Sequence, residues 1–354
     1  MRWQWAMLVF LPISIAMHFL HAPPVWMFAA ACLAIVPLAG AMGAATEELA
    51  KYYGQAFGGL MNATFGNATE LIIAVVAVMN GEVDVVRASL IGSIIGNLLL
   101  VLGLSALLGG LRYKEQKFSK DAAGTHSSMM TIAVISLLVP AIFVRSVPHL
   151  HEADMRVQNL SMCVAGVLIA LYIGGLVFAL RTHQSAFVPQ EPEEPEPPTM
   201  KRATAIWRLL GSTIAIAIES ELLVHSIGPV VHALHMSKLF LGIILIPIIG
   251  NAAEHSTAVV TALKNKMDIS LNIAVSSATQ IAMFVAPVII LVSAFTPSHV
   301  TILFSNVELI TVVVGVVIAG QVTRDGKTNW LEGAQLLTVY IIIALAFFFI
   351  PATS

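Results

Sequence analysis

The sequence predicts an all-α polytopic membrane protein of about eleven transmembrane helices, one N-terminal helix followed by two inverted-topology sets of five. Three observations predict it. Of the 354 residues, 58% are hydrophobic and 11% are charged, with a mean hydropathy of +0.88, whereas an average soluble domain is roughly 25% charged. Apolar runs long enough to cross the hydrocarbon, which takes roughly 20 residues, recur along the whole chain. One acidic motif also occurs twice. This composition excludes a soluble globular enzyme. With 18 basic and 20 acidic residues, no excess of either sign suits nucleic acid, so no nucleic-acid partner is expected. Cys32 and Cys163 both lie in apolar runs, which argues against a disulfide or a thiolate metal site.

Cutting at clusters of charge, Pro and Gly predicts spans near 3–20, 25–46, 58–79, 88–110, 122–144, 157–180, 204–227, 236–263, 269–295, 298–320 and 329–350. The first begins with Arg2 and resembles a signal peptide, but it runs into Phe19-Leu20-His21-Ala22-Pro23-Pro24 without a small-residue cleavage site, so it is kept as a helix. Orientation follows from Lys and Arg, which collect in cytoplasmic loops. With the N-terminus inside, 14 basic residues fall on the cytoplasmic side and four, Arg87, Arg145, Arg156 and Lys238, fall outside. The expected localisation is a prokaryotic plasma membrane, with the N-terminus cytoplasmic and the C-terminus outside. Between the sixth and seventh spans, Pro189-Gln190-Glu191-Pro192-Glu193-Glu194-Pro195-Glu196-Pro197-Pro198 is too rich in Pro for a helix and reads as an extended acidic linker. The expected organisation is 1–22 as an N-terminal helix, 23–182 as a first repeat, 183–202 as the linker and 203–354 as a second repeat.

The repeat is visible in residues. Gly66-Asn67-Ala68-Thr69-Glu70 recurs as Gly250-Asn251-Ala252-Ala253-Glu254 at a shift of 184 residues, and the same shift pairs Asp84 with Asp268 and Ser93 with Ser277. The two motifs lie five spans apart, so equivalent helices cross in opposite directions, as in transporters whose substrates bind at the midplane between inverted repeats.

Glu70 is the single charged residue between Lys51 and Glu82, and Glu254 stands alone between Lys238 and Lys264 except for the neighbouring His255. A formal charge there costs about 2.5–3.5 kcal/mol or more, which marks an intramembrane acid as functional. Gly66 and Gly250 each precede their acid by four residues, which on an unbroken helix puts glycine and acid on one face. The following spans add Ser93 and Asn97, then Ser276, Ser277 and Gln280. Two carboxylates with hydroxyl, amide and carbonyl oxygens form a hard, oxygen-only site that suits Ca2+ and suits thiol-seeking metals poorly. When the cation leaves, two facing carboxylates repel and lack solvation, so protons take its place. Ca2+ and H+ are therefore the expected cargo of Glu70 and Glu254, with no other cofactor, and two protons are expected to replace one Ca2+. His255 is a candidate further proton site or a core histidine. Glu48 and Glu221, in the paired stretches Ala45-Thr46-Glu47-Glu48-Leu49 and Ile218-Glu219-Ser220-Glu221-Leu222, are candidates for a gate or proton path. Glu308 is another acid near membrane depth, and all five Asp residues are expected in loops. The triplets Asn62-Ala63-Thr64 and Asn67-Ala68-Thr69 match the glycosylation pattern but lie within a span entered from the cytoplasm and are set aside.

These residues resemble the calcium:cation antiporter superfamily, and within it the cation/proton exchanger branch. The resemblance rests on the two acidic motifs, on His255 after the second, on Ser276-Ser277-Ala278-Thr279-Gln280-Ile281 and on Asn329-Trp330-Leu331-Glu332-Gly333. It spans nearly the whole chain. It implies eleven helices, with the third, fourth, eighth and ninth enclosing the site, and Glu70 and Glu254 as shared cation and proton ligands. The Pro-rich linker departs from it, because relatives often carry an acidic helix there. The nearest alternative is Na+-driven Ca2+ exchange on the same scaffold, against which His255 and Gln280 speak. An intramembrane enzyme lacks support because His151-Glu152 is not completed into a His-Glu-x-x-His zinc motif. A passive cation channel would give uncoupled current. The expected partners are the two ions and the lipid bilayer; a homo-oligomer is compatible with the sequence.

Overall fold

In the computed structural model, residues 6–53, 61, 64–147, 154–183 and 197–351 are described. The chain is built from helices: α1 Met7–Phe19, α2 Pro24–Tyr53, α3 Ala68–Met79, α4 Val83–Arg112, α5 Lys120–Ser146, α6 Met155–Thr182, α7 Arg202–Leu234, α8 Lys238–Gly250, α9 Ala252–Leu263, α10 Met267–Ser293, α11 Asn306–Val322 and α12 Trp330–Phe348. Among the described residues, seven of these helices are individually long and apolar enough to cross a membrane. The linker stretch 184–196, the pair Asn62-Ala63 and the start of the third expected span lie outside the described residues.

Three expectations about elements need correction. The span expected at 236–263 is two helices, α8 and α9, which meet at Asn251 with a bend of 63°. Asn251 leaves helical geometry (φ −93°, ψ 7°); its backbone N–H still reaches the Pro247 carbonyl at 3.0 Å, and its side chain donates to the same oxygen at 3.1 Å. The span expected at 298–320 begins only at Asn306, because Ser305 and Glu308 close a capping box that fixes the start of α11. Glu308, read as a membrane acid, is that cap: its Oε2 accepts the Ser305 N–H at 2.8 Å. Finally, Asp84, Asp121 and Asp268 occupy the first turns of α4, α5 and α10 rather than loops, where the positive helix end favours a carboxylate.

The two halves meet closely along α4 and α8. A β-carbon added to Gly92 would stand 2.1 Å from the Ile243 carbonyl oxygen, and one on Gly242 would stand 2.5 Å from the Ala88 β-carbon. Only glycine fits where backbones cross at this distance. Four of the helices contain a wide π turn, at Gly96–Val101 in α4, Phe178–Thr182 at the end of α6, Leu241–Leu245 in α8 and Ile281–Val285 in α10. Those in α4 and α10 fall at nearly equivalent places of the repeat. Such turns rotate the side chains that follow and gather at functional sites.

Contacts between connections sort them into two groups at opposite ends of the bundle. At one end a two-stranded antiparallel ribbon pairs β1 (Gln116–Lys117) with β2 (Lys327–Thr328). There Gln116 Nε2 donates to the Ala262 carbonyl at 2.8 Å and the Ser119 N–H to Asp268 at 2.5 Å. The exposed Lys327 ammonium bonds Glu115 at 2.8 Å, which raises its pKa above the usual value. At the other end Lys238 pairs with Glu82 at 2.7 Å, Arg87 donates to Thr301 at 3.0 Å and Arg145 to the Phe304 carbonyl at 2.7 Å.

Candidate cation site

The site is assembled where two chain breaks face each other. Gly66 and Asn67 form the turn before α3, and Asn67 departs from helical geometry (φ −104°, ψ 25°) much as Asn251 does. Each acid consequently sits in a first helical turn, Glu70 in α3 and Glu254 in α9. Unpaired backbone N–H groups and the positive ends of both helices are thereby directed at the same region. This corrects the expectation that glycine and acid share one helix face. Gly250 ends α8, on the far side of the break from Glu254. Its open side serves the other half of the molecule: a β-carbon there would stand 3.5 Å from Glu70 Oε1.

A chain of side-chain hydrogen bonds ties the two halves together at this level. Asn97 Nδ2 donates to Ser277 Oγ at 3.0 Å, Ser277 Oγ donates to Asn67 Oδ1 at 2.8 Å, and Asn67 Nδ2 donates to Gln280 Oε1 at 2.6 Å. Across the repeat, Asn251 Nδ2 donates to Ser93 Oγ at 3.3 Å. Asn67 corresponds to Asn251 and Ser277 to Ser93 under the 184-residue shift. Each break asparagine therefore bonds the serine of the opposite half, a swapped pairing that a pseudo-twofold relation between repeats produces.

Glu70 and Glu254 are half-buried as residues and lie within electrostatic range of each other, and Glu254 meets the Ser277 hydroxyl. In each carboxyl, Oε2 is buried with no hydrogen-bond partner among the described residues, and the same holds for Asn97 Oδ1 and Asn251 Oδ1. Buried acceptors of this kind are rarely left unmet. Two carboxylate and two amide oxygens left unmet are of the kind that a hard divalent cation takes as ligands. Glu70, Ser89, Ser93, Pro247 and Gly250 line a cavity of about 10 Å3 beside the acid, about the volume of one small occupant.

Of the residues singled out in the sequence, Glu70, Glu254, Asn97, Ser277, Gln280, Ser93 and Gly250 are brought together here, and Gly66 lies in the adjoining turn. His255 is half-buried beside Glu254 with Nε2 unpartnered among the described residues. Glu48 and Glu221 are elsewhere. Glu48 accepts the Thr199 and Met200 N–H groups at 2.8 and 2.9 Å and the Thr199 hydroxyl at 2.8 Å, which fastens the end of the linker to α2. Glu221 is exposed, near Asn80 and His225. The asparagines Asn67 and Asn251 are central, and sequence reasoning passed over them. Their signal is the doubled Gly-Asn pair, which marks the repeat but does not by itself reveal a chain break. A second cavity, about 890 Å3, opens near Asp84, Arg87, Arg145, His232, Lys238 and Glu308; neither Glu70 nor Glu254 lines it.

Apolar helices wrapped around an acidic, oxygen-lined centre define an integral membrane protein of the ion-transporter class. The family model described as sodium/calcium exchanger protein matches residues 23–181 and 204–349. The chain is 47% identical over 361 residues to the Ca2+/H+ antiporter of Aphanothece halophytica, covering 98% of this chain and 96% of that protein. It is 46% identical to the Ca2+/H+ antiporter of a Synechocystis strain, with the same coverage. The solved structure of native YfkE superposes with a TM-score of 0.84 at 39% identity, covering 98% of this chain and 99% of that one. The chain belongs to the sodium/calcium exchanger protein family, in its cation/proton exchanger branch.

Proposed function

We propose that this chain is a secondary active antiporter that exports cytosolic Ca2+ in exchange for external H+ by alternating access. Glu70 and Glu254 hold either one Ca2+ or two protons. The observation that carries the reading is the pair of acids in the first turns of two half-helices, with unpartnered buried oxygens on Glu70, Glu254, Asn97 and Asn251. A divalent cation neutralises both carboxylates. Protons on both do the same when the cation departs, so either loaded form is free of net charge at the site and can reorient through low dielectric at little cost. The names of the relatives support Ca2+ and H+ as the exchanged pair. Asn67, Ser277, Gln280 and Ser93 would orient the carboxylates, and Gly250 would give Glu70 room to approach.

The wider organisation belongs to the same proposal: eleven spans, two inverted five-helix repeats joined by the acidic linker, and a cytoplasmic N-terminus in a plasma membrane. The swapped Asn–Ser pairs support the repeat. The sorting of connections supports the parity, since Lys114, Lys117, Lys264, Lys266 and Lys327 belong to the ribbon end and Arg87, Arg145 and Lys238 to the other. The test is 45Ca2+ uptake into proteoliposomes with an imposed pH gradient in Na+-free buffer, for wild type, Glu70→Gln and Glu254→Gln. The proposal expects gradient-driven uptake in wild type and its loss in both variants. Uptake that needs a Na+ gradient, or that survives either substitution, overturns it.

A further inference from the structure

Glu219 of α7 takes no part in the cation site, yet it is fully buried (0% exposed). Its Oε1 lies 2.6 Å from Ser14 Oγ of α1, and its Oε2 is buried without a partner among the described residues. The buried Cys32 thiol of α2 lies within electrostatic range of it. No Lys, Arg or His of α1, α2 or α3 pairs with it among the described residues. The neighbouring acid Glu221, two positions on, points away from this interface and is exposed, as helical geometry requires.

The hydrogens available, together with the bare Oε2, favour a protonated carboxyl. A serine hydroxyl carries one hydrogen. Ser14 Oγ stands 2.8 Å from the Leu11 carbonyl of its own helix, an oxygen that can only accept. If the hydroxyl hydrogen goes to Leu11, the 2.6 Å contact to Glu219 needs a hydrogen from the carboxyl. A charged carboxylate would leave one short oxygen–oxygen contact without a hydrogen and the other oxygen, Oε2, bare in an apolar interface, which is an expensive arrangement. A neutral carboxylic acid satisfies both contacts.

We propose that Glu219 is a second protonation site, separate from the cation site, held as a neutral acid that donates to Ser14 and latches the N-terminal helix α1 to α7. The latch depends on a proton and is indifferent to Ca2+. Deprotonation places an unpaired charge in the interface, so α1 loosens as pH rises. None of this requires that the chain exchange Ca2+ for H+.

Infrared difference spectroscopy of the full chain in liposomes tests it. Wild type should show a protonated-carboxyl C=O band that persists in saturating Ca2+, which separates it from Glu70 and Glu254, and that disappears in Glu219→Gln. Ser14→Ala, which keeps the acid and removes its acceptor, should shift that band to higher frequency. Amide exchange of α1, corrected for intrinsic rates, should speed up by about tenfold on raising the pH in wild type and stay level in Glu219→Gln, whose amide still donates. Persistence of the whole band in Glu219→Gln, or no shift in Ser14→Ala, overturns the inference. So does α1 exchange that follows pH equally in wild type and Glu219→Gln.

Discussion

Asn67 is the most heavily used member of the polar chain, and replacing it by Ala offers a quantitative test of what that chain does. The substitution removes two side-chain bonds, 2.8 Å from Ser277 and 2.6 Å to Gln280. Side-chain hydrogen bonds between membrane helices average about 0.6 kcal/mol and reach about 1.7 kcal/mol, so two of them amount to roughly 1–3 kcal/mol. If the network holds Ser277 and Gln280 in register with Glu254, the loss falls on the bound state, and Ca2+ affinity weakens by about 5-fold to 150-fold. Its repeat partner tests a different role. Asn251 makes one 3.3 Å bond to Ser93, but its Oδ1 is also one of the unpartnered oxygens assigned to the cation, so Asn251→Ala should weaken Ca2+ binding by at least about fivefold, through a lost ligand as well as a lost bond. Equilibrium 45Ca2+ binding to purified protein measures both, with thermal unfolding in Ca2+-free buffer to separate affinity from stability. An affinity within twofold of wild type in either variant would refute the reasoning.

Acidification should weaken Ca2+ binding, approaching about hundredfold per pH unit where both carboxylates titrate and about tenfold in Glu70→Gln; a pH series of the same binding assay reads the slope. Gly92→Ala should abolish the folded protein, since its β-carbon would meet the Ile243 backbone oxygen at 2.1 Å and backbone cannot yield as a side chain can; expression and gel filtration report this. Glu48→Ala removes the acceptor of three bonds from Thr199 and Met200, so tryptic cleavage after Lys201 and Arg202 should quicken by about tenfold.

Much of this site is legible in the sequence because charge inside an apolar span is conspicuous and because duplication marks it twice. Glu70 and Glu254 need no coordinates to be noticed. Ser93 and Ser277 follow from the shift. What the sequence conceals is the effect of Asn on backbone. Asn67 and Asn251 sit inside apolar runs whose hydropathy continues unbroken, so periodicity joins α8 to α9 and puts the glycine four residues before each acid on its face. The break reverses that geometry and sends Gly250 to the opposite carboxylate. Glu308 shows the converse error: an acid beside an apolar run is read as buried function when Ser305, three residues earlier, marks it as a cap. Two of the wide turns do carry a trace that hydropathy passes over: those in α8 and α10 end just before Pro247 and Pro287, which lack the N–H that an α ladder needs.

The central claim is that Ca2+ and protons occupy the same pair of carboxylates. It is tested most directly by adding Ca2+ to purified protein in weakly buffered solution, at a pH where the empty site is protonated, and counting released protons. The account predicts about two protons per Ca2+ bound in wild type and about one in Glu70→Gln. Binding of Ca2+ with no proton release, or a count unchanged by Glu70→Gln, would contradict it.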